Sequence, residues 1–153
     1  IIPVGGASVG DYDYVKTAFV KEGGRLHFEK VAMRPGKPTW CGAVGSARVV
    51  GLPGNPASAI VAAALFVQPL VRRLAGELWS APFAKARLAA PLGANGRREA
   101  YLRAEVKDGA ITPASNQDSS LLLPFAAANA LIRRPAYAPA VEPGAEAEFV
   151  WLR

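Results

Sequence analysis

The sequence predicts an α/β unit followed by a small all-β, barrel-like domain, and three observations carry that expectation. Over residues 1–76, glycine-marked turns alternate with apolar runs and two segments of helical spacing. Beyond Gly76 the pattern changes to short alternating segments divided by Gly, Pro, Asn and Asp. The change falls at a Pro82-bearing stretch, so the expected organisation is 1–76, a linker at 77–84 and a second domain at 85–153.

Element by element, Ile1, Ile2, Pro3 and Val4 read as the end of a buried strand, as though the chain began within one. Residues 14–22 place Val15, Ala18 and Phe19 at helical spacing, and Gly23 and Gly24 supply a stop. β-Branched and apolar content marks strands at 26–33, 39–41 and 48–52. A long helix follows, with Asn55 as N-cap, Pro56 at the first helical position and a kink expected at Pro69. Its expected apolar face is Ile60, Ala63, Val67, Leu70 and Leu74. In the second domain, strands are expected at 85–92, 98–106, 110–114, 130–134 and 145–152, enough for a small barrel or sandwich. Within 98–106, Ala100, Leu102, Ala104 and Val106 share one face and Glu99, Tyr101, Arg103 and Glu105 the other.

Composition narrows the classes. With 51% hydrophobic and 20% charged residues, the chain reads as soluble and globular. No continuous apolar run approaches the roughly 18–20 residues that cross a bilayer, so no membrane association is expected. Cys41 and His27 are the sole cysteine and histidine. That excludes an internal disulfide and a His/Cys zinc or iron–sulfur site, and it points to the cytoplasm. Net charge is +6, with nine Lys/Arg against four Asp/Glu in 1–76 and nine against eight beyond. Such a bias suits an anionic ligand as well as a solvated basic surface. Despite a pI near 9.8, no nucleic-acid motif or aromatic platform is present, so no nucleic-acid partner is expected.

Three constellations carry possible chemistry. The run Gly5-Gly6-Ala7-Ser8-Val9-Gly10-Asp11-Tyr12-Asp13 is a glycine-rich turn between a strand end and a helix, where phosphates tend to bind. Asp11 reads as a helix cap and Asp13 as a residue able to hold a divalent metal beside a phosphate. In Lys30-Val31-Ala32-Met33-Arg34-Pro35-Gly36-Lys37-Pro38, an extended strand puts Lys30 and Arg34 on one face, and the Pro-Gly turn brings Lys37 to the same region. The alternative is a basic edge strand kept soluble by its charge. Finally, Gly51-Leu52-Pro53-Gly54-Asn55-Pro56-Ala57-Ser58 joins a strand, a rigid turn and a helix start, where Ser58 presents a hydroxyl beside free amides or serves only the cap.

In this order and spacing, the three segments resemble the molybdopterin molybdenumtransferases, whose eukaryotic relatives include gephyrin and the plant cofactor-synthesis E domains. GGASVGDYD is similar to the family's GGxSxGxxD turn, EKVAMRPGKP to its basic PGKP strand and GLPGNPAS to its GLPGNPxS loop. The resemblance covers the whole chain. It implies that 1–76 is the second half of a three-layer molybdopterin-binding α/β domain and that the β-domain is C-terminal, so that the chain is a C-terminal part of such a protein.

Residue by residue, the resemblance makes Asp13 and Lys30 the catalytic residues and gives Asp13 the place of the functional acidic residue, with Mg²⁺ or proton transfer as its task. Lys30, Arg34 and Lys37 fall on the basic cluster, where arginine replaces the lysine of many members. Ser58 falls on the serine of the LPGNP helix, while Arg103 and Ser119 match residues that help hold molybdate. For Arg103 the alternative is pairing with Glu99 or Glu105, and Ser119 reads equally as a turn residue beside Asp118. The implied substrates are molybdate and an adenylylated molybdopterin. Lys37, Pro38, Arg34, Asn55, Ser58, Arg103 and Ser119 would line the molybdate site, and Lys30, Gly6 and Ser8 the nucleotide-linked phosphates. The implied reaction inserts molybdenum and releases AMP, in a homodimer. The other functions considered are a molybdopterin adenylyltransferase and a gephyrin-like scaffold that binds receptor tails.

Overall fold

The computed structural model describes residues 1–6, 14–78, 83–118 and 124–152. It divides into two compact units: Ile1–Val31 with Pro35–Leu78, and Ala32–Arg34 with Trp79–Arg153.

The first unit is α/β. Helix α1 (Tyr14–Lys21) ends where Gly23, at φ 79°, turns the chain and Gly24 N–H returns to Phe19 O at 2.9 Å. Gly24 packs so closely that a Cβ there would lie 2.4 Å from Phe19 O. Then come β1 (Arg25–Phe28) and β2 (Met33–Arg34), the latter belonging to the second unit, and the hairpin β3 (Trp40–Val44) and β4 (Ala47–Gly51). Strands β1, β3 and β4 form an antiparallel sheet in that order. Trp40 and Val49 form its core, with Val15, Phe19, Leu26 and Val44 packed around them.

Residues 1–5 run parallel to β4. Val50 N–H donates to Ile1 O, Leu52 N–H to Pro3 O and Gly5 N–H to Leu52 O, all within 3.0 Å. The expected strand end is therefore in place, but it is not buried: Ile1 is 70% exposed and Val4 65%.

A continuous helical stretch, Pro56–Leu74, follows. It comprises α2 (Pro56–Ala62), a π-helical turn over Ala63–Val67 and α3 (Gln68–Leu74). Gln68 N–H reaches Ala63 O, five residues back, just before Pro69. Pro69 has no N–H to give its own turn, so the distortion expected there is taken up by this wide turn. The buried face is Ala57, Ser58, Val61, Ala62 and Ala64, whereas Ile60 is 40% and Leu74 68% exposed. This corrects the expected face: residues 56–67 are apolar on nearly every side, and those buried among them are mostly small. By length and mean hydropathy, 1.4, these 19 residues are apolar enough to cross a bilayer, a test that core helices also pass, but Ser58, Gln68, Arg72 and Arg73 interrupt them, so the expectation of no continuous apolar run of that length stands.

The second unit is a closed barrel. Its strands are β5 (Phe83–Leu88), β6 (Glu99–Lys107), β7 (Ala110–Pro113), β8 (Ala130–Arg134) and β9 (Glu146–Trp151), with the short helix α4 (Pro124–Ala127) before β8. Pairing runs β6-β7-β5-β9-β8 and returns from β8 to β6, which closes five strands into a ring. β6 and β7 meet through Asp108 and Gly109, both at positive φ (50° and 78°), the signature of a tight hairpin. Strand β2 adds to the β6 edge in parallel, pairing Met33 with Glu99 and Arg34 with Ala100. The interior holds Leu88, Leu92, Ala104, Ile111, Ala130, Ile132, Ala147 and Phe149, with Leu102 and Val106 packed against them, as the alternation in β6 requires.

The strand expected over 26–33 is interrupted. It becomes β1 and β2 because Val31 N–H leaves any ladder to donate to Lys37 O at 3.0 Å, closing residues 31–37 into a loop. Lys30 is therefore outside both strands.

Candidate functional site

Two glycine turns stand at the carboxyl ends of parallel neighbours, the position at which open α/β sheets bind ligands. The first follows Val4, where Gly5 and Gly6 lie at φ 85° and 61°, a region costly to any side chain. The second follows β4, at Leu52-Pro53-Gly54. A Cβ on Gly54 would stand 3.4 Å from Gly5 Cα, so glycine at both positions lets the two backbones touch. Ser8, Asp11 and Asp13 lie outside the described residues.

Asn55 caps the helix as expected: its Oδ1 accepts from Ser58 N–H at 3.0 Å, and Pro56 takes the first helical position. Ser58 is 8% exposed. Its amide is thus engaged by the cap rather than free, and what it offers a ligand is its hydroxyl and the helix dipole.

The basic segment divides between the units. Lys30 and Lys37 are both exposed, and the bond from Val31 N–H to Lys37 O brings the backbone next to Lys30 up to that of Lys37. Gly36, at φ 108°, makes the turn, and buried Thr39 locks it by donating Oγ1 to Gly36 O at 2.7 Å. Pro38, half-buried, lies between them. Arg34 belongs to the barrel unit, where its Nη2 donates to Asn95 Oδ1 at 3.3 Å. The expected three-cation face is therefore a lysine pair within one unit and an arginine held within the other.

On the barrel, Arg103 is 4% exposed and takes neither expected carboxylate partner. Its Nη2 donates to Asn116 O and Asp118 O, at 3.3 and 3.1 Å, and its guanidinium covers the Phe125 ring at 5.1 Å. Gln117 completes the clasp by accepting from Arg103 N–H and donating to Arg103 O. Burial pushes the Arg103 pKa down, against the opposing field of Asp118. Arg103 thereby ties residues 116–118 to β6, immediately before Ser119, which lies outside the described residues. Glu99 instead pairs with Arg133 at 3.1 Å and accepts from Tyr101 Oη at 2.5 Å. Arg133 also meets Glu148 and stacks on Phe83. Burial, then the Glu99 bond, pushes the Tyr101 phenol well above its ordinary value.

Two residues escaped the reading of the sequence. Asn95 donates Nδ2 to the carbonyls of Arg98, Arg134 and Pro135 while accepting from Arg34. Arg134 is 7% exposed at the end of β8. For Arg134 a signal existed, because strand alternation puts it on the face of Ala130 and Ile132.

Comparison with known proteins follows the same division. Residues 1–73 match the family model of a probable molybdopterin binding domain, and residues 85–152 that of the MoeA C-terminal region, domain IV. The chain is similar to a molybdopterin molybdenumtransferase of Nostoc sp., 41% identical over 107 residues, covering 67% of this chain and 24% of that protein. It is 32% identical over 158 residues to one of Bacillus subtilis, covering 100% of this chain and 37% of that protein. The chain thus spans well under half the length of these relatives. Among solved structures, a molybdopterin biosynthesis MoeA protein of Pyrococcus horikoshii superposes with TM-score 0.79 at 25% identity, covering 99% of this chain and 37% of the other. A molybdenum cofactor biosynthesis protein of Pyrococcus furiosus, at TM-score 0.72 and 20% identity, covers 91% of this chain and 54% of the other and shares the fold.

Proposed function

The chain belongs to the molybdopterin molybdenumtransferase family, and from that membership we propose that it serves the insertion of molybdenum, taken from molybdate, into molybdopterin. The observation that supports this most is the succession in one chain of a molybdopterin-binding match over 1–73 and a MoeA-type match over 85–152. An adenylyltransferase reading accounts for the first match and leaves the second without a purpose. Nothing observed favours a scaffold.

On this reading the co-substrate is adenylylated molybdopterin. Two dithiolene thiols replace two molybdate oxygens, which leave as two waters carrying the two thiol protons and two protons from solvent, and one water cleaves the P–O–P bond of the adenylylated phosphate to release AMP. Gly6, Ser8 and Lys30 hold the nucleotide-linked phosphates, while Arg34, Lys37, Pro38, Asn55, Ser58, Arg103 and Ser119 line the molybdate site. The exposed lysine pair brings two anions together by offsetting their repulsion. Arg103 contributes by holding the segment that leads to Ser119. Asp13 is the acidic residue. Among the described residues no group of three His, Cys, Asp or Glu forms a metal site, so the fit of Mg²⁺ rests on Asp13 alone and no step is routed through it. A cytoplasmic homodimer, with domains divided at 77–84 and without nucleic-acid or membrane partners, completes the proposal.

The experiment is molybdate-dependent release of AMP from adenylylated molybdopterin by the full-length protein, paired with melting curves. Asp13→Asn should reduce turnover at least about a hundredfold, with little change in melting. Asp11→Asn should leave turnover nearly intact, since Asn caps a helix about as well as Asp. Near-normal turnover in Asp13→Asn removes that residue's role. No molybdate-dependent AMP release by the unmodified protein removes the function.

A further inference from the structure

Arg134 is a buried residue with no carboxylate partner among the described residues. Its neighbour Arg133 meets two carboxylates, Glu99 and Glu148, yet among the described residues none lies within ion-pair distance of Arg134. Its Nη2 donates to Pro139 O and, at 3.1 Å, to Gly93 O. Its Nη1 and Nε donate to no acceptor among the described residues. Carbonyl oxygens supply partial negative charge only, and burial pushes the Arg134 pKa down. Although the residue as a whole is buried, Nη1 and Nε are not sealed from solvent, so a small anion can reach them and replace water as their acceptor.

The barrel register shows where such an anion fits. Ala100 pairs with Arg34 across one edge of β6 and with Arg134 across the other. Residues paired across neighbouring strands share a face, and strands lie about 4.8 Å apart. Arg34 and Arg134 therefore stand roughly 10 Å apart at their Cα atoms. Asn95 fastens both, accepting from Arg34 Nη2 and donating to Arg134 O at 2.9 Å.

We propose that Arg134, with Arg34 opposite it across Ala100, forms a subsite on the barrel for a tetrahedral oxyanion of the phosphate or molybdate class. The new element is Arg134, which no sequence motif marks. The subsite does not require that molybdenum insertion be the protein's activity, and its test reads ion binding directly.

Tungstate serves as the probe because its anomalous scattering locates it. Crystals of the chain soaked in tungstate should show a peak within about 4 Å of Arg134 Nη1 or Nε, contact distance for a charge-assisted bond to an oxyanion. In solution at low ionic strength, Arg134→Gln should weaken tungstate binding at least about tenfold, roughly one charge-assisted hydrogen bond. Inorganic phosphate and AMP then compete. Displacement by phosphate alone assigns the site to a free ion, displacement by AMP to a nucleotide phosphate, and displacement by neither overturns the proposal. Peaks only at Lys30 and Lys37, or none, overturn it as well, as does unchanged affinity in Arg134→Gln. Should that variant fail to fold, the peak position in the unmodified chain decides.

Discussion

Gly51→Ala tests the packing beneath the LPGNP loop. Gly51 pairs with Trp40 across β3 and β4, and a Cβ there would lie 1.9 Å from Trp40 Nε1 and 2.0 Å from Cε2. Ordinary contact begins at 3.4 Å, so the indole must retreat by 3.4 − 1.9 = 1.5 Å or more. It has little room, because Trp40 is fully buried with the Phe19 ring 5.1 Å away. Overpacking typically costs about 1–3 kcal/mol, and a displacement this large of the bulkiest core side chain belongs at the upper end, about 3 kcal/mol. For a unit of this size that lowers Tm by roughly 12–24 °C. Trp40→Leu removes the obstruction, and in that background Gly51→Ala should cost less than about 1 kcal/mol. Urea unfolding of the parent, both single variants and the double variant, followed by circular dichroism, gives the coupling. An equal cost for Gly51→Ala in both backgrounds refutes the argument.

The barrel supplies two further expectations. Burial raises the Glu99 pKa, but hydrogen bonds from Arg133 and Tyr101 outweigh it and hold the carboxyl below its ordinary value. A depressed carboxyl stabilises the fold above its unfolded pKa, about 4.3, and that stability is lost as pH falls through the folded value. The barrel should therefore weaken on acidification below that point, and Glu99→Gln should flatten this limb of a Tm–pH profile recorded from pH 7 to pH 3; identical slopes would contradict the pairing. Arg103→Lys keeps the charge but loses the fork to Asn116 O and Asp118 O and the cover over Phe125. Hydrogen exchange at 116–118 should accelerate by roughly ten- to a hundredfold, the loss of about two hydrogen bonds; unchanged protection would show that the clasp does not hold this segment.

Elements set by local chemistry were legible in the sequence. The Gly23 stop, the Asn55 cap and Pro56 follow from backbone and capping preferences that need no tertiary partner. Strand β8 stands at the expected 130–134 because alternation in a half-buried sheet is itself local. Elements decided at a distance were not. Val31 is as β-prone as its neighbours, yet its N–H goes to Lys37 O, and that one bond ends the strand and moves Lys30 off it. The buried face of Pro56–Leu74 was equally hidden, since its first three turns, 56–67, are apolar on nearly every side and leave no clear period to read. Ala57, Val61 and Ala64 are buried there because small side chains permit close approach.

The candidate site divides along the same line. The glycine turns were legible because positive φ at Gly5 and Gly6 is a property of glycine itself. The partners of Arg103 were not, because the alternatives weighed were carboxylates on its own strand, whereas the acceptors are carbonyls 13 and 15 residues away. Arg134 falls between these cases. Successive residues of a strand face opposite ways, so two adjacent arginines cannot both lie on one face of β8. Ala130 and Ile132 have the parity of Arg134, and both are fully buried. One member of the Arg133-Arg134 pair was therefore bound to point with the barrel core, and a cation sent there needs an acceptor or an anion to meet it. The two carbonyls of Gly93 and Pro139 meet one nitrogen of three, and the nitrogens left over are what make this end of the barrel a place for an anion.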